Sequence, residues 1–216
     1  MSKVPLQKKV LSANDRIAAE LREGFARNGV LALNLISSPG AGKTSLLERT
    51  LESFEADRRV AVLTGDIQTD NDAARLAKAG FPVRQITTEG ACHLDARMVQ
   101  RGLEGWPLEE LDLLFIENVG NLVCPSSYDL GEAAKVVLLS VTEGDDKPLK
   151  YPSIFTRASL MVLNKIDLLP YVPFDADAAR SNARKVNPQI DIIDVSCTTG
   201  AGLDDWTSWF EARPKS

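Results

Sequence analysis

The chain has 216 residues, 44% of them hydrophobic, which is enough for one sizeable core and gives no argument from length for a second. Its 25 Lys and Arg against 30 Asp and Glu leave a net charge of −5 without any basic block, so no nucleic acid partner is expected. No apolar run approaches a membrane span, and the polar start MSKVPLQKK lacks a signal-peptide core, so a cytoplasmic protein without membrane insertion is expected.

Leu6, Val10, Ile17, Leu21 and Phe25 recur near one helical face. They predict an amphipathic helix within residues 1–29, packed on the domain formed by 30–216 or on a second subunit. Asn28-Gly29 closes it, and an apolar strand over 31–36 follows. That strand runs into Ser37-Ser38-Pro39-Gly40-Ala41-Gly42-Lys43-Thr44 and then into the apolar-periodic Ser45-Leu46-Leu47. Strand, turn and helix in that order make a phosphate-binding loop. Amides around Gly40, Ala41, Gly42 and Ser45 can point at phosphate oxygens, and the helix N-terminus adds its positive end. Lys43 can reach the β- and γ-phosphates, and the Thr44 hydroxyl can hold Mg²⁺. Ser37 stands where the first glycine of this pattern usually is; the other positions fit.

Downstream, 59–63 (RVAVL) reads as a strand ending at Thr64-Gly65-Asp66, and 70–79 as a helix closed by Gly80. Val83–Thr87 reads as a short strand, 91–102 as a helix and 111–117 (LDLLFIE) as a buried strand. Strands over 134–141, 160–163 and 191–195 follow, with helices over 176–186 and 203–210. Strands that alternate with helices and read as continuous apolar runs predict an α/β fold. With the phosphate loop, this is a three-layer P-loop NTPase architecture: a mostly parallel central sheet with helices on both faces. Ligands of such sheets sit at the carboxyl ends of the strands.

The remaining motifs fall at such ends. Glu117-Asn118-Val119-Gly120 closes the 111–117 strand. Glu117 can hold Mg²⁺ directly or through water, and the Gly120 N–H can face a γ-phosphate and so sense its presence. G proteins usually carry Asp-x-x-Gly here, so the glutamate is a departure. Asp66, at another strand end, is a second candidate for Mg²⁺ or for the attacking water, while Asp70 and Asp72 read equally well as helix caps. Asn164-Lys165-Ile166-Asp167 is a guanine-recognition pattern. The Asp167 carboxylate can accept from the guanine N1–H and amine, and adenine would leave it unpaired. Asn164 can tie this loop to the phosphate loop, and the Lys165 stem can cover the base. Ser196-Cys197-Thr198 occupies the place of a second base-contacting loop. The reaction class these residues point to is GTP hydrolysis with GTP and GDP as ligands, slow because neither an arginine finger nor a glutamine after Gly120 is evident. Lys43, Asp66, Glu117 and Gly120 are its candidate catalytic residues.

Three cysteines, Cys92, Cys124 and Cys197, and a single histidine, His93, complete the chemistry. The odd count does not suggest a disulfide scaffold. Cys197 reads as a base-loop residue. Cys92-His93 at a helix start and Cys124, four residues past Gly120, offer thiolate and imidazole, which suit Ni²⁺ or Zn²⁺. Two buried free cysteines beside a capping histidine explain the same spacing. If Cys124 is a ligand, it is tethered to the loop that senses the γ-phosphate, and metal and nucleotide affinities must be reciprocally coupled.

SSPGAGKTSLLE, GACHLDA, IENVGNLVCPSSYDLGE and NKIDLLPY together resemble the HypB family of nickel-maturation GTPases, over nearly the whole chain from Leu31 onward. The resemblance implies a GTP-dependent homodimer of the signal-recognition-like class, with an interfacial metal site from Cys92, His93 and Cys124. It also implies nickel delivery into the large subunit of [NiFe]-hydrogenase, together with the nickel chaperone HypA. Some family members carry an N-terminal Cys-x-x-Cys-Gly-Cys motif or a histidine-rich stretch. Residues 1–30 here contain no cysteine and the chain has 1 histidine, so neither nickel storage nor a separate N-terminal nickel site is expected. Competing readings are a urease-type nickel GTPase, whose Cys-Pro-His motif is missing, a metal scaffold with a structural nucleotide, and an ATPase of the same fold.

Overall fold

The computed structural model describes residues 6–66, 71–88 and 90–214. Helix α1 (Leu6–Asn28) precedes strand β1 (Leu31–Ser37), helix α2 (Lys43–Glu52), β2 (Val60–Asp66), α3 (Asn71–Ala77), β3 (Val83–Thr87) and α4 (Ala96–Gly102). Then come β4 (Leu113–Glu117), β5 (Ala134–Ser140), the short α5 (Lys147–Lys150) and α6 (Pro152–Arg157), β6 (Leu160–Asn164), α7 (Ala176–Val186), β7 (Asp191–Val195) and α8 (Leu203–Glu211). The seven strands form one sheet in the order β3-β2-β4-β1-β5-β6-β7, every pair parallel.

The apolar runs become strands buried on both faces, with alternate residues sent to opposite sides. From β1, Leu31, Leu33 and Leu35 join Leu46 and Leu47 of α2 and Trp206 and Phe210 of α8 on one face. Ala32 faces the other way, toward Ile17, Leu21 and Phe25 of α1 and Val99 of α4. Ile36 continues that second face among Ile154 and Phe155 of α6 and Ala179 and Ala183 of α7. The polar residues of β1 are Asn34, wholly buried on the α1 side, and Ser37, wholly buried at the end of the strand.

Three expectations change. Val10 is 47% exposed and does not share the buried stripe of Ile17, Leu21 and Phe25, while the Leu6 side chain lies outside the described residues. The helix expected over 91–102 begins only at Ala96, because the Asp95 carboxylate accepts the Met98 N–H and caps it there, after a turn at Gly90 with φ 93°. Cys92 and His93 therefore lie in the loop ahead of the helix. The helix expected over 70–79 is α3, Asn71–Ala77; Asp70 lies outside the described residues.

Candidate nucleotide and metal site

The carboxyl ends of β1 and β4 and the start of α2 enclose a cavity of about 470 Å³, a size suited to a nucleotide. Gly40, Gly42, Lys43, Thr44, Ser45, Glu117, Gly120 and Lys165 line it. Ala41, buried beneath, turns its carbonyl to Asn164, whose Nδ2 donates to it at 2.9 Å. Gly42 has φ 101°, and a Cβ there would lie 2.4 Å from Asn164 Nδ2. The glycine is thus required twice, by its left-handed backbone and by the asparagine pressed against it. Ser37, in the place of the usual glycine, accepts a hydrogen bond from Lys43 Nζ at 3.0 Å and holds the lysine across the loop. Lys147 Nζ donates to Ser38 Oγ at 2.6 Å, a contact the sequence reading missed.

Thr44 Oγ1 donates to Glu117 Oε1 at 2.7 Å. Glu117 is buried, and its Oε2 has no hydrogen-bond partner. Burial pushes its carboxyl up to about 7, against the opposing pull of Lys43 and Thr44. A buried carboxylate oxygen without a partner, beside a threonine hydroxyl, is a donor set that fits a hard divalent cation. Asp66 ends β2, but its side chain lies outside the described residues, so its expected part in Mg²⁺ binding or water positioning carries no geometry. Gly120 sits against the phosphate loop: a Cβ on it would meet the Pro39 Cα and N at 3.1 Å.

Of the guanine-pattern residues, Lys165 lines this cavity. Lys165, at φ 63°, donates from Nζ to the Gly40 carbonyl at 2.7 Å. Ser196 Oγ donates to Asp167 Oδ1 at 2.5 Å, and Cys197 Sγ lies 3.6 Å from Asn164 Oδ1. The asparagine thus links the 164–167 loop, the 196–198 loop and the phosphate loop, and burial raises the Cys197 thiol pKa.

Cys92, His93 and Cys124 converge within the single chain: one ligand atom from each lies within 4.8 Å of the others. The sulfurs of Cys92 and Cys124 are 2.8 Å apart, and His93 Nδ1 is 3.8 Å from Cys92 Sγ. All three cysteines are free thiols. The hydrogen bond to Cys124, helped by burial, raises the Cys92 pKa. The helix starts three residues past His93, so the helix N-terminus expected to favour thiolate does not lie at Cys92. Burial lowers the His93 pKa, so the imidazole stays neutral and able to ligate. Its ring lies against Tyr128, with centroids 3.9 Å apart and planes at 31°. Asn121 Nδ2 donates to the Cys92 carbonyl at 3.3 Å, and its Oδ1 accepts from Val123 N at 2.8 Å, so one side chain ties the two cysteine loops together. Tyr128 and Asn121 escaped the sequence reading; only their closeness to Cys124 could have drawn attention to them.

Over residues 31–194 the chain matches the family model described as CobW/HypB/UreG, nucleotide-binding domain. It is 54% identical over 212 residues to the hydrogenase maturation factor HypB of Azotobacter chroococcum mcd 1, covering 97% of this chain and 69% of that one. Among solved structures, HypB from Helicobacter pylori in complex with nickel gives a TM-score of 0.87 at 42% identity, covering 94% of this chain and 98% of that one. The hydrogenase maturation factor HypB from Archaeoglobus fulgidus gives 0.86 at 38% identity, covering 93% and 98%. Likeness of this degree, over nearly the whole chain, means that the chain belongs to the HypB family of hydrogenase maturation factors.

Proposed function

We propose that this protein is a GTP-hydrolysing metallochaperone that delivers nickel during [NiFe]-hydrogenase maturation. The single observation that carries the reading is the convergence of Cys92, His93 and Cys124 on one point, with Cys124 four residues past the Gly120 that lies on the phosphate loop. In this reading GTP lies along the 37–45 turn, with Lys43 against its terminal phosphates and Asp167 selecting guanine. Thr44 and Glu117 would hold Mg²⁺, which would supply neutralising charge to the terminal phosphates. Gly120 and the loop around it take one position with the γ-phosphate and another without it. Nickel, or zinc in its place, is the cargo of the two thiols and the imidazole. Three ligands from one chain leave the shell to be completed by water or by a second copy across a two-fold axis. The working form is a homodimer that acts with the chaperone HypA on the large subunit of the hydrogenase. The N-terminal helix and the nucleotide domain, residues 1–29 and 30–216, act as one unit.

Multiple-turnover phosphate release and nickel titration test this together. The wild type turns over GTP, not ATP, and binds nickel, and C92A, H93A and C124A each weaken nickel binding at least about tenfold while retaining GTP turnover. A protein that binds GTP but releases no phosphate would leave a scaffold. Unchanged nickel affinity in all three variants would remove the carrier role.

A further inference from the structure

Besides the backbone that leads to Cys124 and the bond from Asn121 to the Cys92 carbonyl, the loop after β4 reaches the metal residues by a further, buried path. Asn118 stands between Glu117, which holds Thr44, and Val119-Gly120, which lies on Pro39. It is 1% exposed. Its Oδ1 accepts from the backbone N–H of Leu94, the residue after His93, at 3.0 Å, and from Val119 N at 3.0 Å. Its Nδ2 donates to Asn34 Oδ1 at 3.2 Å, and Asn34 Nδ2 donates to Glu132 Oε1 at 3.1 Å. Glu132 is buried, paired with Lys135, and accepts the Leu130 N–H at 2.6 Å. Lys135 Nζ donates in turn to the carbonyl of Tyr128 at 2.7 Å, and the ring of Tyr128 covers His93. The chain of bonds thus leaves the metal loop at Leu94 and returns to it at His93.

Burying three such side chains between apolar clusters is costly unless each is paired, and apolar residues would pack this seam with less penalty. A satisfied buried network has one geometry: Asn118 cannot rotate without giving up bonds to Leu94, Val119 and Asn34. We infer that Asn118 is a positioning residue: clamped by Asn34 and Glu132, its carboxamide makes the Cys92–His93 loop follow the nucleotide-dependent position of the loop after β4. This inference rests on the proposed coupling between nucleotide and metal. Cys124 is moved through the backbone and Cys92–His93 through the buried Asn118, beside the half-exposed Asn121 bond to the Cys92 carbonyl, so the three ligand atoms respond as a set to one displacement.

Hydrogen exchange of the 90–96 segment, on the full chain without added metal, tests it with GDP and with a non-hydrolysable GTP analogue. In the wild type the Leu94 amide exchanges at rates that differ at least about fivefold between the two nucleotides. In N118A the segment exchanges quickly and at the same rate under both. N34A, which leaves the Leu94–Asn118 bond in place but removes the clamp, shrinks the difference, and it serves where N118A does not fold. Identical wild-type rates under the two nucleotides overturn the inference. So does a uniform rise in N118A that preserves the difference, because that is what a merely structural asparagine produces. Nickel affinity of the wild type under both nucleotides is measured alongside. Equal affinities beside nucleotide-dependent exchange would reject metal coupling while leaving the Asn118 linkage standing.

Discussion

Glu117 carries the most telling chemistry of any single residue. Its carboxyl is pushed from 4.5 to about 7 by burial, so the nucleotide-free folded chain keeps a proton that the unfolded chain has released. The contribution of this group to the stability of the metal-free, nucleotide-free protein is therefore full below about pH 4.5 and is lost as pH rises toward 7, by on the order of 3 kcal/mol. Thermal unfolding across that range measures the slope, and E117Q removes it. The same variant lowers Mg²⁺-dependent GTP turnover about a hundredfold. In the proposed reading, guanine specificity rests on another carboxylate. D167N is expected to weaken GTP about a hundredfold and to admit xanthosine triphosphate, read by competition with a fluorescent nucleotide. Unchanged GTP affinity would defeat the guanine assignment.

Between residues and fold, the loops at the strand ends are where the sequence was informative and where it fell short. The phosphate loop, the Glu117–Gly120 turn and the 164–167 loop were legible because each needs fixed residue types at fixed spacing after an apolar strand. The sheet was legible for a related reason: strands buried on both faces read as unbroken apolar runs, and only their ends moved by one to three residues. The start of α4 differs from the apolar pattern because a local cap overrides it: Asp95 holds the helix end, and Cys92 and His93 are left in the bend ahead of it. The partners Asn121, Tyr128 and Asn34 were invisible, since each is defined by a residue 29 to 98 positions away. Val10 was misread because period alone does not say where the buried stripe of α1 stops. Gly120 gives a test at this scale. In G120A the added methyl meets the Pro39 backbone and pushes the turn off the phosphate loop. GTP turnover falls about tenfold or more while GDP affinity holds within a few fold, measured by single-turnover hydrolysis and GDP titration.

At the scale of the molecule, two candidate sites share the carboxyl end of one sheet. The nucleotide cavity and the Cys92, His93 and Cys124 cluster are joined by the run from Glu117 to Cys124, with Asn118 and Asn121 bonded to the opposite cysteine loop on the way. Among the described residues no helix is long and apolar enough to cross a membrane. Sizing with each nucleotide, with and without nickel, is expected to show dimer favoured by the GTP analogue, and C92A to lose the metal-dependent part of that shift. The most direct test of the account is nickel affinity by chelator competition in the GDP state and in the GTP-analogue state of the same protein. A ratio of at least about fivefold is predicted, mirrored by an equal effect of nickel on the preference between the two nucleotides. Affinities that agree within error would contradict it and leave two independent sites on one fold.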